Sequence, residues 1–255
     1  VEDFGYQGAW PSHPELLDWL ACRFRDDGWN VRDMVRDIVT SSTYRQSSEG
    51  PGERNTELYA GYPRQRLSAE QIRDQALHVS GLLVERYGGP SVKPYQPEGL
   101  WREVAMPQSN TRLFERDGGD ALWRRSLYTY WKRAAPPPAM LTLDAPTREY
   151  CATRRLTTNT PLQALVLWND VQFVEAARAT AARVLDETPP AERVHDLYRR
   201  CTGSAPSDEI AAMMEATLET FMERYREDTD SARALVATGE SEPPDGVPVD
   251  ELAAW

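Results

Sequence analysis

The chain has 255 residues, 40% of them hydrophobic, which supplies a core for one large domain or two small ones and argues against wholesale disorder. Its formal net charge is −11, and residues 201–255 hold 13 acidic against 3 basic side chains, a balance that disfavours a general nucleic-acid footprint. No apolar run approaches the ~18 residues of a membrane helix; the densest is Leu165-Val166-Leu167-Trp168. The chain opens on Val1 and ends on Trp255, which points to a segment of a longer protein.

Ser12-His13-Pro14-Glu15 reads as a capping box opening a first helix, with Leu16, Leu17, Leu20 and Phe24 at helical spacing and Gly28 at its end. Asn30 caps a second helix whose apolar face is Val31, Met34, Val35, Ile38 and Val39. Residues 44–56 read as a polar loop. Ser68-Ala69-Glu70-Gln71 opens a third helix, with Ile72, Ala76, Leu77, Leu83 and Val84 as its stripe and Gly88-Gly89-Pro90 as its stop. The stretch 90–119 is irregular and proline-rich, too long for an idle loop, so it is either functional or wraps the surface. Residues 120–134 fit a helix or a short strand, and Pro136-Pro137-Pro138 ends them.

Thr160-Pro161-Leu162-Gln163 starts another helix, with proline at its first position, and the pattern continues to about Leu185. Two more helices follow Pro189-Pro190, near 191–201 and 207–227. A Gly-, Glu- and Pro-rich link at 239–248 precedes a last helix from Val249. The sum predicts an all-α fold: an irregular multi-helix core over 1–188, with a loop-rich 90–160 segment, and an acidic helical C-terminal extension over 189–255.

The usual catalytic and nucleotide-binding signatures are absent from the sequence. His13, His78 and His195 stand apart from one another, so no metal site is predicted. Cys22, Cys151 and Cys201 form no C-x-x-C or C-x-x-C-H; they read as buried free thiols, with one disulfide plus a leftover thiol as the alternative. No covalent haem is attached within this segment.

One region stands out by charge. Arg124, Arg125, Lys132, Arg133, Arg148, Arg154 and Arg155 lie within 32 residues, opposed only by Asp144 and Glu149, and aromatics including Trp131 interleave. Guanidinium forks beside aromatic faces suit carboxylates, sulfates, phosphates and sugars. The alternative is that these arginines pair with carboxylates and helix C-terminal carbonyls. Asn169-Asp170 lies inside an apolar helical pattern. A lone carboxylate there is costly, so it should find a partner, with Arg154 or Arg155 as candidates. The candidate ligand-binding set is these seven cations with Trp131, Asp144, Glu149, Asn159 and Asp170.

Six phrases together resemble one family. They are the run from Ser12 to Ala21, Arg66 to Asp74, Gly88-Gly89-Pro90-Ser91-Val92, Arg124 to Arg133, Pro136 to Leu141, and Thr158-Asn159-Thr160-Pro161-Leu162-Gln163-Ala164-Leu165. The set is similar to the planctomycete cytochrome-associated domain of unknown function, number 1553 in that naming scheme. The resemblance covers nearly the whole chain and implies the C-terminal portion of a larger, exported bacterial protein. It implies an extracytoplasmic setting and a c-type haem domain elsewhere in the same chain or in a partner protein. It implies no reaction. The leading expectation is therefore a non-catalytic recognition or scaffold module for an anionic or carbohydrate ligand. The alternative is a glycan-acting enzyme using Asp144, Glu149 and Asp170 beside the arginines.

Overall fold

In a computed structural model, residues 5–48 and 56–255 are described. Among them the protein is all-α, as the periodicity predicts, with eleven α-helices and four 3₁₀ turns. No described residue belongs to a strand; two isolated parallel bridges join Val84 to Arg124 and Val92 to Thr129. The residues group into two compact units, Val1–Arg66 with Ala152–Arg154, and Leu67–Cys151 with Arg155–Trp255. Residues 49–55 of the predicted polar loop lie outside the described residues.

The first unit contains a helical hairpin, α1 (Pro14–Asp26) and α2 (Val31–Thr40). The capping box predicted at Ser12 does not form. Pro14 is the first helical residue, so the cap position falls on His13 and the third helical residue on Leu16, which has no group to reach back. Ser12 Oγ instead lies 3.0 Å from His13 Nδ1. Asn30 does cap α2: its Oδ1 accepts from the N–H groups of Arg32 and Asp33 at 3.1 and 3.4 Å. Neither helix fully buries a residue, and Leu17, Trp19, Val31 and Val35 are all exposed.

The second unit opens with α3 (Ala69–Ser80), and here the predicted box is complete. Ser68 Oγ accepts from Gln71 N–H at 3.3 Å, and Gln71 Oε1 accepts from Ser68 N–H at 3.0 Å. The helix stops at Gly81 rather than near Gly88, because Gly81 takes the left-handed conformation at φ +79° that closes a helix. Leu83 and Val84 thus leave the helical stripe. Two single-turn helices follow, α4 (Leu100–Val104) and α5 (Pro138–Thr142). The ambiguous stretch 120–134 is neither regular helix nor strand, but the 3₁₀ turns Gly119–Trp123 and Ser126–Tyr128 with extended links.

The long helix predicted from Pro161 to about Leu185 is two helices, α6 (Pro161–Asn169) and α7 (Val171–Glu187). Asp170 makes the break. It sits extended at φ −70°, ψ 133°, and its Oδ1 accepts from Gln172 N–H at 3.0 Å, capping α7. α8 (Arg193–Thr202) and α9 (Asp208–Glu227) fall close to their predicted places, then α10 (Thr229–Val236) and α11 (Val249–Ala254). α3 packs along α7. Ala69, Met140, Leu143, Ala145 and Phe173 form one core cluster, and Ala181, Leu185, Val236 and Leu252 a second.

Without a sheet, loop carbonyls need other donors, and buried arginines supply them. Arg124 is fully buried. It donates to the carbonyls of Pro90, Arg86 and Gly88 at 2.9, 2.9 and 2.5 Å, and its guanidinium lies 3.8 Å from the Tyr128 ring centre. Arg73 donates to the carbonyls of Leu122 and Arg124 at 2.7 and 2.8 Å. Burial lowers its pKa to about 10, against the pull of Asp74 and Asp170, so it stays charged at neutral pH. Glu175 is the buried anion of this scheme, 1% exposed. It accepts from Trp123 Nε1 at 3.1 Å and from the N–H groups of Glu240 and Ser241 at 2.7 Å each, fastening the 239–241 link to α7. The cysteines are unpaired but exposed, not buried as expected: Cys22 lies on α1, whose residues are all solvent-accessible, Cys151 in a surface loop, and Cys201 near the end of α8.

Candidate functional site

None of the seven predicted cations lines any of the four cavities described below. Arg124 is the buried loop clamp described above. Arg125 reaches Glu85 at 3.4 Å, and Arg155 reaches Glu70 at 2.7 Å. Lys132 Nζ donates to the Thr111 carbonyl at 2.6 Å and lies 4.7 Å from the Trp101 ring centre. Arg148 covers the Trp131 ring at 4.5 Å, while Trp131 Nε1 donates to the Thr147 carbonyl at 3.0 Å. Arg133 and Asn159 are exposed, and Arg154 belongs to the first unit. Glu149 is exposed in the same loop as Arg148.

Asp144 anchors a different feature. Its carboxylate accepts from Thr158 N–H at 2.6 Å and from Gln163 Nε2 at 3.2 Å, and the same amide donates to the Thr142 carbonyl at 3.0 Å. This knot ties the end of α5 to the start of α6. Asp144 takes a left-handed φ of +62° to do so.

Of the predicted residues, Asn169 and Asp170 line a cavity of about 350 Å³ at the α6–α7 joint. Its walls come from the 93–97 loop, Thr129 and Tyr130, α5 and the outer face of α6, all within the second unit. The surface is mostly apolar, set by Pro94, Pro138, Met140, Leu162 and Leu165 with the rings of Tyr130 and Phe114. Polar groups are few. Thr129 Oγ1 and Gln96 Nε2 are buried and, among the described residues, have no hydrogen-bond partner. Asp170 faces the same space, and burial pushes its pKa up, against the opposing pull of the Gln172 hydrogen bonds and of Arg73. The cation acting on Asp170 is therefore Arg73, not Arg154 or Arg155. Tyr95 also lines the cavity. Among the described residues its hydroxyl meets no acceptor in hydrogen-bond geometry, and burial together with the Glu175 charge pushes its pKa up to about 12.

An apolar cavity with a few convergent polar groups and a perturbed carboxylate is the ordinary form of a small-molecule site. Among the described residues Asp170 is the only carboxylate lining it, and none of the three other cavities is lined by more than one. Among the described residues no group of three or more His, Cys, Asp or Glu comes together to hold a metal ion, and no helix is long and apolar enough to cross a membrane.

Sequence reasoning missed Lys93, Gln96 and Thr129. A signal was present. Only Lys93 and Lys132 are lysines among 29 basic residues, and their ammonium groups lie 6.0 and 4.7 Å from the same Trp101 ring centre. The 90–119 segment, read as functional or surface-wrapping, supplies Lys93, Gln96 and Phe114 to the cavity.

A family model described as PSD1, protein of unknown function (DUF1553), matches residues 1–218. No curated protein and no solved structure matches the chain.

Proposed function

The chain belongs to the PSD1 (DUF1553) family of unknown function, and from that premise we propose that it is a recognition module binding a ring-sized, hydroxylated ligand in the cavity at the α6–α7 joint. The observation that carries this reading is that Thr129 and Gln96, which line one apolar, aromatic-walled cavity, each hold a buried polar atom, Oγ1 and Nε2, without a partner among the described residues. Buried polar groups without partners are rare in folded proteins, and a bound molecule supplies what they lack. A sugar ring suits such a space: its C–H faces pack on Tyr130, Pro138 and Leu165, and its hydroxyls meet Thr129, Gln96 and Asp170.

Recognition is favoured over cleavage. Glycan hydrolysis by paired carboxylates needs two groups ~5–9 Å apart across the bond, and this cavity is lined by one, Asp170. Exposed Leu17, Trp19, Val31 and Val35 on the α1–α2 hairpin, and Trp168 on α6, support residence in a larger assembly. The exported, cytochrome-linked setting rests on the phrase-level resemblance alone.

Ligand-observed NMR against a panel of mono- and oligosaccharides tests the reading, with Thr129→Val as the diagnostic variant. Valine keeps the shape and removes an unpartnered hydroxyl, so stability should hold or rise while binding falls. If no saccharide binds the parent protein, or Thr129→Val binds as well as the parent, the reading is wrong.

A further inference from the structure

A second cavity, of about 530 Å³, adjoins the first and shares Lys93 and Tyr130 with it. Its chemistry is different. Lys93, Arg102 and Arg112 line it, against one carboxylate, Glu115. Among the described residues none of these three cations has an ion-pair partner, whereas Arg116, close by in sequence, is paired with Glu240 at 3.1 Å. Lys132 adds a fourth positive charge at the Trp101 wall.

Two residues that line this cavity hold buried donors without an acceptor among the described residues. Trp101 is 2% exposed, and neither its indole N–H nor the buried Arg112 Nε has a partner among the described residues. The hydroxyls of Ser109 and Thr111 stand 3.3 Å apart on the same lining. Clustered cations repel one another and unpartnered donors want an acceptor, and one oxyanion relieves both.

We propose that this second cavity is an oxyanion subsite, and that it takes the carboxylate or sulfate ester of an acidic sugar whose neutral body enters the first cavity. Lys93 and Arg102 supply charge, while Arg112, Trp101 and the two hydroxyls supply directed hydrogen bonds. Tyr130 and Lys93, common to both spaces, set the distance between the ring and its anionic group. The pairing of the two cavities rests on the reading of the first as a sugar site; the anion site does not.

The test is titration of the full chain with D-glucuronate, inorganic sulfate and D-glucose, each at matched ionic strength in sodium chloride, followed by NMR or calorimetry. Two exposed positions give the variants. Arg102→Glu reverses a charge on the single-turn α4, and Glu115→Gln removes the opposing carboxylate. Glucuronate and sulfate should bind the parent, bind roughly tenfold more weakly to Arg102→Glu, and bind more tightly to Glu115→Gln. A gain in Glu115→Gln is not something a merely structural role would produce. Glucose binding should not respond to either change. Glucuronate binding with no response to sulfate assigns the site to carboxylates; sulfate binding alone assigns it to sulfate esters. Saturable anion binding that is unchanged in both variants, or no anion binding by the parent, overturns the subsite. Loss of glucose binding alone in Thr129→Val, with sulfate binding intact, leaves the subsite standing.

Discussion

Glu175 offers the sharpest test of how this fold holds together. Glu175→Ala removes one carboxylate that serves three donors, Trp123 Nε1 and the N–H groups of Glu240 and Ser241. An orphaned buried donor costs about 1–3 kcal/mol. These bonds are partly buried, so water relieves some of that, and a total near 3–5 kcal/mol is expected. That is a large share of the ~5–15 kcal/mol a domain has. Urea denaturation followed by tryptophan fluorescence reads the total, and amide hydrogen exchange at Glu240 and Ser241 reads the place. Glu175→Gln keeps one acceptor oxygen and should recover roughly half. Burial opposes the Glu175 charge, yet the bonds from Ser241, Trp123 and Glu240 outweigh it and hold the pKa below the usual glutamate value. Its stabilisation is therefore present above the unfolded-state pKa and lost as pH falls through the folded one, so Glu175→Gln should flatten the acid limb of the stability profile. A loss under about 1 kcal/mol, with exchange at 240 and 241 unchanged, would refute this account of the anchor.

Gly239→Ala should weaken the same anchor from the other side: a Cβ there would sit 2.5 Å from Glu175 Cδ, at φ +92°, and a destabilisation of about 2 kcal/mol or more is expected in the same urea assay. Asp170 has its pKa raised, so whatever stability it contributes is present below its unfolded-state pKa and lost as pH rises through its folded one. Asp170→Asn keeps a good cap and cannot ionise, so its stability relative to the parent should be higher at pH 7 than at pH 3; an unchanged difference between the two pH values contradicts the burial of that carboxylate. All three thiols should react with a thiol reagent in the folded protein, Cys22 and Cys151 faster than Cys201, whose thiolate is disfavoured by partial burial. Reaction only after unfolding would contradict their exposure.

Helix positions were legible where the local code is self-contained. Ser68 and Asn30 announce their helices because a cap needs only four neighbouring residues. Ser12 looks the same but fails, since Pro14 moves the helix start by one residue and puts Leu16 where the box needs a glutamate. Asp170 was legible as an anomaly, a carboxylate in an apolar run, but not as a helix break. Its capping of α7 depends on a backbone turn that hydrophobic periodicity does not encode. The arginine cluster at 124–155 is near in sequence, but several of its members find partners far along the chain or within their own loop. Arg124 closes on carbonyls 34 to 38 residues upstream, Arg155 on Glu70, and Arg148 on Trp131. The cavities draw on Lys93, Arg102 and Arg112 from the proline-rich 90–119 segment, whose one helix, α4, is a single turn too short to show a period.

Arg124 grips the carbonyl oxygens of Arg86, Gly88 and Pro90, atoms that every amino acid provides. A clamp of that kind is blind to side chains. Gly88 and Gly89 keep their own constraint through positive φ, but at Arg86 and Tyr87 the path of the turn is held without regard to the side chain. Substitutions at Arg86 or Tyr87 should thus be tolerated where Arg124→Lys is not, because an ammonium has the charge but not the planar fork that meets three oxygens at once.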